Sequence, residues 1–478
     1  MRLLIREDHD PKRGSALNLR LLQLLLVVAV TFGGSGGYPT PLRDTAVQLV
    51  AVAVLAWSLK QEGARTLISS DRLLAMAVAA VVALPALQLI PLPPALWRGL
   101  GGRELQWQVV ESVGLQEGWR PISLYPHRTL SALVSLFPFV TAAYLSAGLP
   151  SYERRQLLLT VAIVAGASAM LGTAQLGNPE LHPFEFTHLG FSTGFFASRN
   201  IQAIFLLLGG LAGTAWLARN LPRRQAIAAS GILIACFGIG VFTTGSRAGL
   251  LLLAPTVLGC AVLLEAGRRF AAITSIVAAA LLAIAIPFLH NNSVFSRSLD
   301  RFSELETVRP EIWDSTISAG LRHLPWGSGM GTFAPVYASL EDFGQVRTSY
   351  VNRAHNDFLE LFLEAGPAGI IVLIFVLMFI AIRANHLLKT GRWNDRQHAV
   401  LVLFSTLLLL IHSTVDYPLR TPGILLVAGV FIGFLRRPSA PREFDGSPPH
   451  QWRQSHQTRP REHKEQGAGR GTQDDQAR

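Results

Sequence analysis

Between residues 21 and 435 the chain is a succession of apolar runs of about 15–21 residues, the length a helix needs to cross ~30 Å of hydrocarbon. These runs predict an all-α polytopic membrane protein. About twelve spans are expected, over 21–37, 45–59, 73–90, 129–149, 157–176, 201–218, 226–244, 249–265, 270–289, 367–384, 399–415 and 423–435. Only 15% of the residues are charged, where a soluble domain carries about a quarter.

The segments between the runs divide by charge. With the N-terminus inside, the inner segments 1–20, 60–72, 150–156, 219–225, 265–269 and 383–398 hold 19 Lys and Arg in 68 residues. The outer segments 33–44, 91–128, 177–200, 245–249, 290–366 and 416–421 hold 14 in 162. Basic loops stay on the cytoplasmic side, so the bias predicts both termini inside. It gathers 91–128, 177–200, the five-residue turn 245–249 and the long loop 290–366 on one outer face. The domain organisation expected is a cytoplasmic N-terminus (1–20), spans one to nine (21–289), a large outer loop with short helices (290–366), spans ten to twelve (367–435) and a tail (436–478). The tail has almost no aliphatic residues and is expected to be disordered. Trp97, Trp107 and Trp119 in 91–128 suit an interfacial position.

The net charge of +11 does not indicate nucleic acid, because the basic residues are scattered between spans and in the tail. Cys236 and Cys260 both lie in apolar runs, so they offer neither a disulfide framework nor metal-ligand spacing.

The richest polar stretch runs from Arg353 to Gly366. Asp357, Glu360 and Glu364 are spaced i, i+3, i+7, which puts them on one helix face. Phe358, Leu361, Phe362 and Ala365 fall on the other. The expectation is one wet and one greasy face at a membrane boundary. His355 is either a helix-entry residue, with Asn356 as the cap, or a general base or phosphate donor. Glu360 and Glu364 stand between catalysis, an arginine clamp and a solvated face.

Other outer residues carry similar alternatives. Arg247 lies in Gly245-Ser246-Arg247-Ala248-Gly249, either as a snorkelling anchor or, beside helix-terminal amides, as a diphosphate ligand. Arg199, at the start of the sixth span, is an interfacial anchor or a second such arginine. Trp313 and the glycine-rich Pro325–Phe333 segment suggest a sugar platform with close backbone approach, or a simple link between loop helices. Asp416 is a charge at the end of a span, costly unless paired; its expected partner is Arg420 or another outer arginine.

Taken together, these motifs resemble the O-antigen ligase and O-antigen polymerase superfamily of bacterial membrane glycosyltransferases. The resemblance rests on the span number, the Gly245–Gly249 turn, Pro325–Phe333, His355–Glu360, Glu364–Gly366, Pro121–Leu124 and Phe196–Asn200; Ser198 departs from the family pattern, where Asn is common. The resemblance implies metal-independent transfer of a glycan from an undecaprenyl-diphosphate carrier, without a cofactor, at the outer face of the bacterial inner membrane. The acceptor is lipid A-core or similar for a ligase, and another carrier-linked repeat for a polymerase. In that scheme Arg247 and His355 are catalytic, His355 as base or as diphosphate orienter. Arg199, Arg353, Asn356, Glu360, Glu364, Trp313 and Asp416 hold diphosphate or glycan. A transporter of polyprenyl-linked sugars is the rival class, and it is disfavoured by the lack of an internal repeat.

Overall fold

The computed structural model describes residues 11–36, 40–62, 71–187, 189–265, 309–340 and 351–436. Its helices are α1 (Pro11–Phe32), α2 (Pro41–Glu62), α3 (Arg72–Gln88), α4 (Pro94–Arg98), α5 (Glu104–Ser112), α6 (Pro126–Val134), α7 (Phe137–Gly148), α8 (Ser151–Gly177), α9 (Arg199–Asn220), α10 (Arg223–Thr244) and α11 (Arg247–Leu263). They continue with α12 (309–322), α13 (Phe333–Leu340), α14 (Asp357–Thr390), α15 (Trp393–Ser413) and α16 (Pro422–Gly433). Two-residue strands β1 (Pro91–Leu92) and β2 (Arg120–Pro121) pair antiparallel, Pro91 opposite Pro121.

This is an all-α membrane protein. Among the described residues, eight helical segments are long and apolar enough to cross a bilayer: α1, α2, α6–α7 together, α8, α9, α10, α14 and α15. The shorter apolar helices α3, α11 and α16 stand where further spans are expected. The ninth expected span, 270–289, the loop parts 290–308 and 341–350, and the tail 437–478 lie outside the described residues. Observed helices begin two to six residues before most of the apolar runs, because their first turns are polar.

α9 is the enclosed centre, with 83% of its apolar window buried, and it packs against α8, α10, α11 and α15. Hydrophobic burial does not drive helices together in lipid; close packing does, and small residues permit it. α16 accordingly meets α7 through Gly429, which lies on Phe139 and Ala142, and Gly433, which lies on Ala143 and Ser146.

α14 carries a break at its first third. Gly366 adopts φ +55° and ψ −148°, and Pro367 follows it. Proline has no N–H, so helical carbonyls just upstream lose their partners. The freed groups are taken by a distant loop. Leu363 O accepts from Ser328 N (3.0 Å), and Glu364 O accepts from Gly329 N (2.9 Å) and from Gln88 Nε2 (2.8 Å). The Gln88 Oε1 in turn accepts from Met330 N at 2.8 Å. Leu124 N donates to Ser328 O at 2.9 Å, and Arg103 donates to Ile122 O. The glycines of 325–333 therefore approach the chain's own backbone at this break, with Gly327 against Glu364 and Ala365. They do not form an open platform.

Trp97, expected at an interface, is buried, and its indole donates to Pro121 O at 2.7 Å. Trp107 lies under Arg98, and Trp119 is exposed. Cys260 is a core residue hydrogen-bonded by Thr214, while Cys236 faces outward.

A Cβ at residue 366 would run into the Pro325 carbonyl and adopt a left-handed φ. Gly366→Ala is expected to cost about 1–3 kcal/mol. The check is thermal unfolding of detergent-solubilised protein, with Gly231→Ala, where a Cβ meets nothing, as the neutral control.

Candidate active site

Segments from all six stretches expected on one face meet at one end of the helices. Ala197 N donates to Gly34 O (2.9 Å), Ser192 N to Thr243 O (3.1 Å), and Leu124 N to Ser328 O (2.9 Å). Asn200 joins Asp416, and Asp357 joins the 416–421 link. At this end the ionisable groups sort into two adjoining sets.

The first set is built on the start of α14. Asn356 caps the helix as expected. Its Oδ1 accepts from Phe358 N and Leu359 N at 3.0 and 3.1 Å, and its Nδ2 holds Thr414 O at 3.0 Å. The spacing of Asp357, Glu360 and Glu364 does put them on one face, but that face points inward. Glu360 and Glu364 are fully buried and Asp357 nearly so, whereas Phe358, Leu361 and Phe362 are half-buried. The expected wet face is thus the interior one. The reason is Arg420, whose NH1 lies 2.8 Å from Glu364 Oε2, NH2 3.5 Å from Glu360 Oε2, and Nε 3.6 Å from Asp357 Oδ1.

Further donors satisfy the remaining oxygens of these carboxylates. Phe333 N reaches Glu364 at 3.1 Å, Ala354 N reaches Glu360 at 2.9 Å, and Ser413 Oγ reaches Asp357 at 2.9 Å. Arg353 adds a contact to Glu360 at 3.3 Å. Burial disfavours the Arg420 cation, but Glu364, Glu360 and Asp357 outweigh that effect and hold its proton above the ordinary arginine range. Of the three readings open for Glu360 and Glu364, the geometry is that of the arginine clamp.

The second set surrounds His355. This residue is held left-handed, at φ +50°, a conformation that costs a non-glycine residue about 1–3 kcal/mol and collects at functional sites. Trp313 supports the turn: its indole N–H donates to Ala354 O at 2.9 Å. That contact gives Trp313 a supporting place under the His355 turn. His355 Nδ1 faces Asp416 Oδ1 at 3.5 Å, its ring lies 5.1 Å from that of Tyr417, and its side chain is 29% exposed.

Asp416 also accepts from Asn200 Nδ2 at 2.7 Å. Its partner is therefore His355 with Asn200. Arg420, the expected partner, is engaged by the α14 acids. Burial pushes the Asp416 carboxyl up, but hydrogen bonding and charge from His355, His412 and Asn200 overcome this and hold it well below the usual carboxylate range.

The arginines stand on the far side of Asp416. Arg199 begins α9 and is buried, its guanidinium 4.2 Å above the Phe191 ring and against Gly245. Gly245 is left-handed (φ +61°) and ends α10, while Ser246 caps α11 by accepting from Gly249 N at 3.2 Å. This tight cap carries Arg247, an exposed residue, and both Arg247 and Arg309 of α12 are within Coulombic reach of Arg199. Asp416 bears on Arg199 alongside these two arginines. Sequence reasoning had not singled out Asn200, Arg309 or Tyr417 as site residues. Asn200 adjoins Arg199, but nothing in the sequence pairs it with Asp416, 216 residues away.

The described helices make a membrane protein whose titratable groups gather at helix ends. Residues 231–374, under a third of the chain, match the O-antigen ligase family, and this match supports an enzyme of ligase or polymerase type in general. The match takes in Arg247, Trp313, His355, Glu360 and Glu364; Arg199, Asp416 and Arg420 lie beyond it. No curated protein matches the chain.

Two outcomes test this construction. Arg420→Ala strands three buried carboxylates, and removing one partner of a buried pair costs about 3–5 kcal/mol; the loss is read as a lower unfolding temperature, partly restored in Arg420→Lys. For Asp416 the folded value lies below the unfolded one, ~3.9, so its contribution is complete above about pH 4 and fades as pH falls further. The stability gap between wild type and Asp416→Asn is expected to narrow as pH falls below about 4, as measured by pH-dependent thermal unfolding.

Proposed function

We propose that the protein transfers a glycan from an undecaprenyl-diphosphate carrier to a hydroxyl acceptor at the outer face of the bacterial inner membrane. The observation that carries this reading is the His355–Asp416 pair set against Arg199, Arg247 and Arg309. A glycosyl diphosphate needs two things at its reacting carbon: a base for the incoming hydroxyl, and positive charge where the leaving diphosphate develops it.

With Nδ1 turned to Asp416, the Nε2 of His355 takes the acceptor proton, and Asp416 stabilises the imidazolium that forms. The acceptor oxygen bonds to the anomeric carbon, the bond from that carbon to the diphosphate oxygen breaks, and the carrier diphosphate leaves with the electron pair onto the arginines. These guanidiniums supply the charge that a divalent cation supplies in other transferases, so the reading needs no metal or cofactor. Asn356, Glu360 and Glu364 act by holding the His355 turn, and Arg353 by holding Glu360. Trp313 does the same through Ala354.

The outer placement is supported by the basic bias of the opposite segments. Residues at those segments are tied into helix ends: Arg219 bonds Gln397 and Asn394 O, and Arg154 bonds Leu149 O and Phe434 O. The acceptor we favour is lipid A-core or a similar lipid-linked sugar, which makes the enzyme a ligase; a polymerase would use a second carrier-linked repeat.

His355→Ala and Arg247→Ala are expected to abolish surface polysaccharide while membrane protein levels stay intact, as checked by glycan electrophoresis and immunoblot. Normal polysaccharide in both variants would sink the assignment. A deletion strain that accumulates unlinked long polymer on the carrier supports the ligase, and one that caps the acceptor with single repeats supports the polymerase.

A further inference from the structure

A cleft of about 350 Å³ opens between the start of α2 and the link that joins α8 to α9. It lies outside every residue assigned above. Its walls combine Arg43, Glu180, His182, Phe184, Glu185 and Phe186. The Arg43 guanidinium covers one ring, 4.6 Å from the centroid of Phe184, which is itself buried. Phe186 stands 5.8 Å from Phe184, is 37% exposed and lines the cleft. Glu180 and Glu185 are both exposed at the wall. His182 is fixed from behind by Thr193, with Nδ1 to Oγ1 at 3.0 Å.

This combination selects a ligand class. Two carboxylates beside one guanidinium repel a phosphate. An acyl chain would leave all three charges without partners. A neutral sugar satisfies the set: its hydroxyls donate to carboxylates and accept from a guanidinium, while its C–H face lies on an aromatic ring. The cleft volume is at the small end of ligand sites, ~300–1,000 Å³, which suits one or two sugar residues rather than a long chain.

The cleft is also joined to the centre described above. Thr193, which holds His182, belongs to the same link as Phe191 and Arg199, and that link is pinned to α8 by Gln175, whose Oε1 accepts from Thr193 N (3.0 Å) and Gly194 N (2.9 Å). Asp44, next to Arg43, is within Coulombic reach of Arg353 in the His355 turn.

We propose that this cleft is a saccharide subsite, holding a neutral sugar of the glycan with its apolar face on Phe186 and its hydroxyls on Glu185, Glu180 and Arg43. The proposal rests on the transferase reading and adds to it a specificity element remote from the reacting carbon. Its place on the link that also carries Arg199 assigns it to the glycan.

The test uses the full chain in detergent and, as probe, lipid-free oligosaccharides released by mild acid from the host's own surface glycan. Binding is followed by saturation-transfer NMR. Wild type and His355→Ala are expected to bind alike, because the cleft takes no part in chemistry. Phe186→Ala is expected to weaken binding about three- to tenfold, the worth of one aromatic contact, and Glu185→Gln to weaken it as well. Inorganic pyrophosphate, titrated in parallel, should bind all four proteins equally. Absence of oligosaccharide binding in wild type, or unchanged binding in both cleft variants, overturns the proposal. Normal polysaccharide in a His355→Ala strain overturns the transferase reading instead, whatever the cleft variants do.

Discussion

A single guanidinium, that of Arg420, lies among three carboxylates of one helix face. It decides how the end of the bundle is put together. Without a cation, Asp357, Glu360 and Glu364 could not be buried, and α14 would have to turn its acids to water. With the cation in place, the acidic face becomes the inner face, and the link Asp416–Thr421 is tied to the first turns of α14. That tie sets His355, which precedes α14, against Asp416, which opens the link. The geometry of the pair therefore depends on an interaction that involves neither partner.

The two charge sets differ in balance. Around Arg420 the three acids are met by Arg420 and Arg353, and backbone amides complete the coordination. This set is nearly self-contained. Around Arg199 the charges that bear on it include two further arginines and Asp416. Like charges gathered in a partly buried place repel one another unless an anion joins them. The first set accordingly serves as scaffold, and the second concentrates positive charge, which is what the proposed leaving diphosphate requires.

Much of the fold was legible in the sequence, because span length and loop charge are properties of composition over tens of residues. The apolar runs coincide with α1–α3, α6–α11 and α14–α16, and Asn356 caps α14 as its residue type suggests. Which way the acidic face points was not legible. Periodicity reports that Asp357, Glu360 and Glu364 share a face, but the partner that turns it inward is more than fifty residues on. For the same reason the sequence could not choose between a platform and a simple link for the glycine-rich Pro325–Phe333 segment. Its glycines answer carbonyls freed by a proline in another element, and only the folded chain shows those two facts together. Trp97 and Trp313 likewise carry residue types that suggest an interface or a sugar, yet their indole N–H groups are bound to Pro121 and Ala354.

The amide of Gln88 touches two things at once, the Glu364 carbonyl and the Met330 N–H. It is also the last residue of an apolar helix, so one side chain acts as a depth gauge: it ties the level of the loop, and with it the level of the α14 break, to the end of α3. Under the proposed function, a substrate hung from a lipid anchor would present its reactive carbon at a level set by that anchor, and a centre keyed to the end of an apolar helix keeps a matching datum.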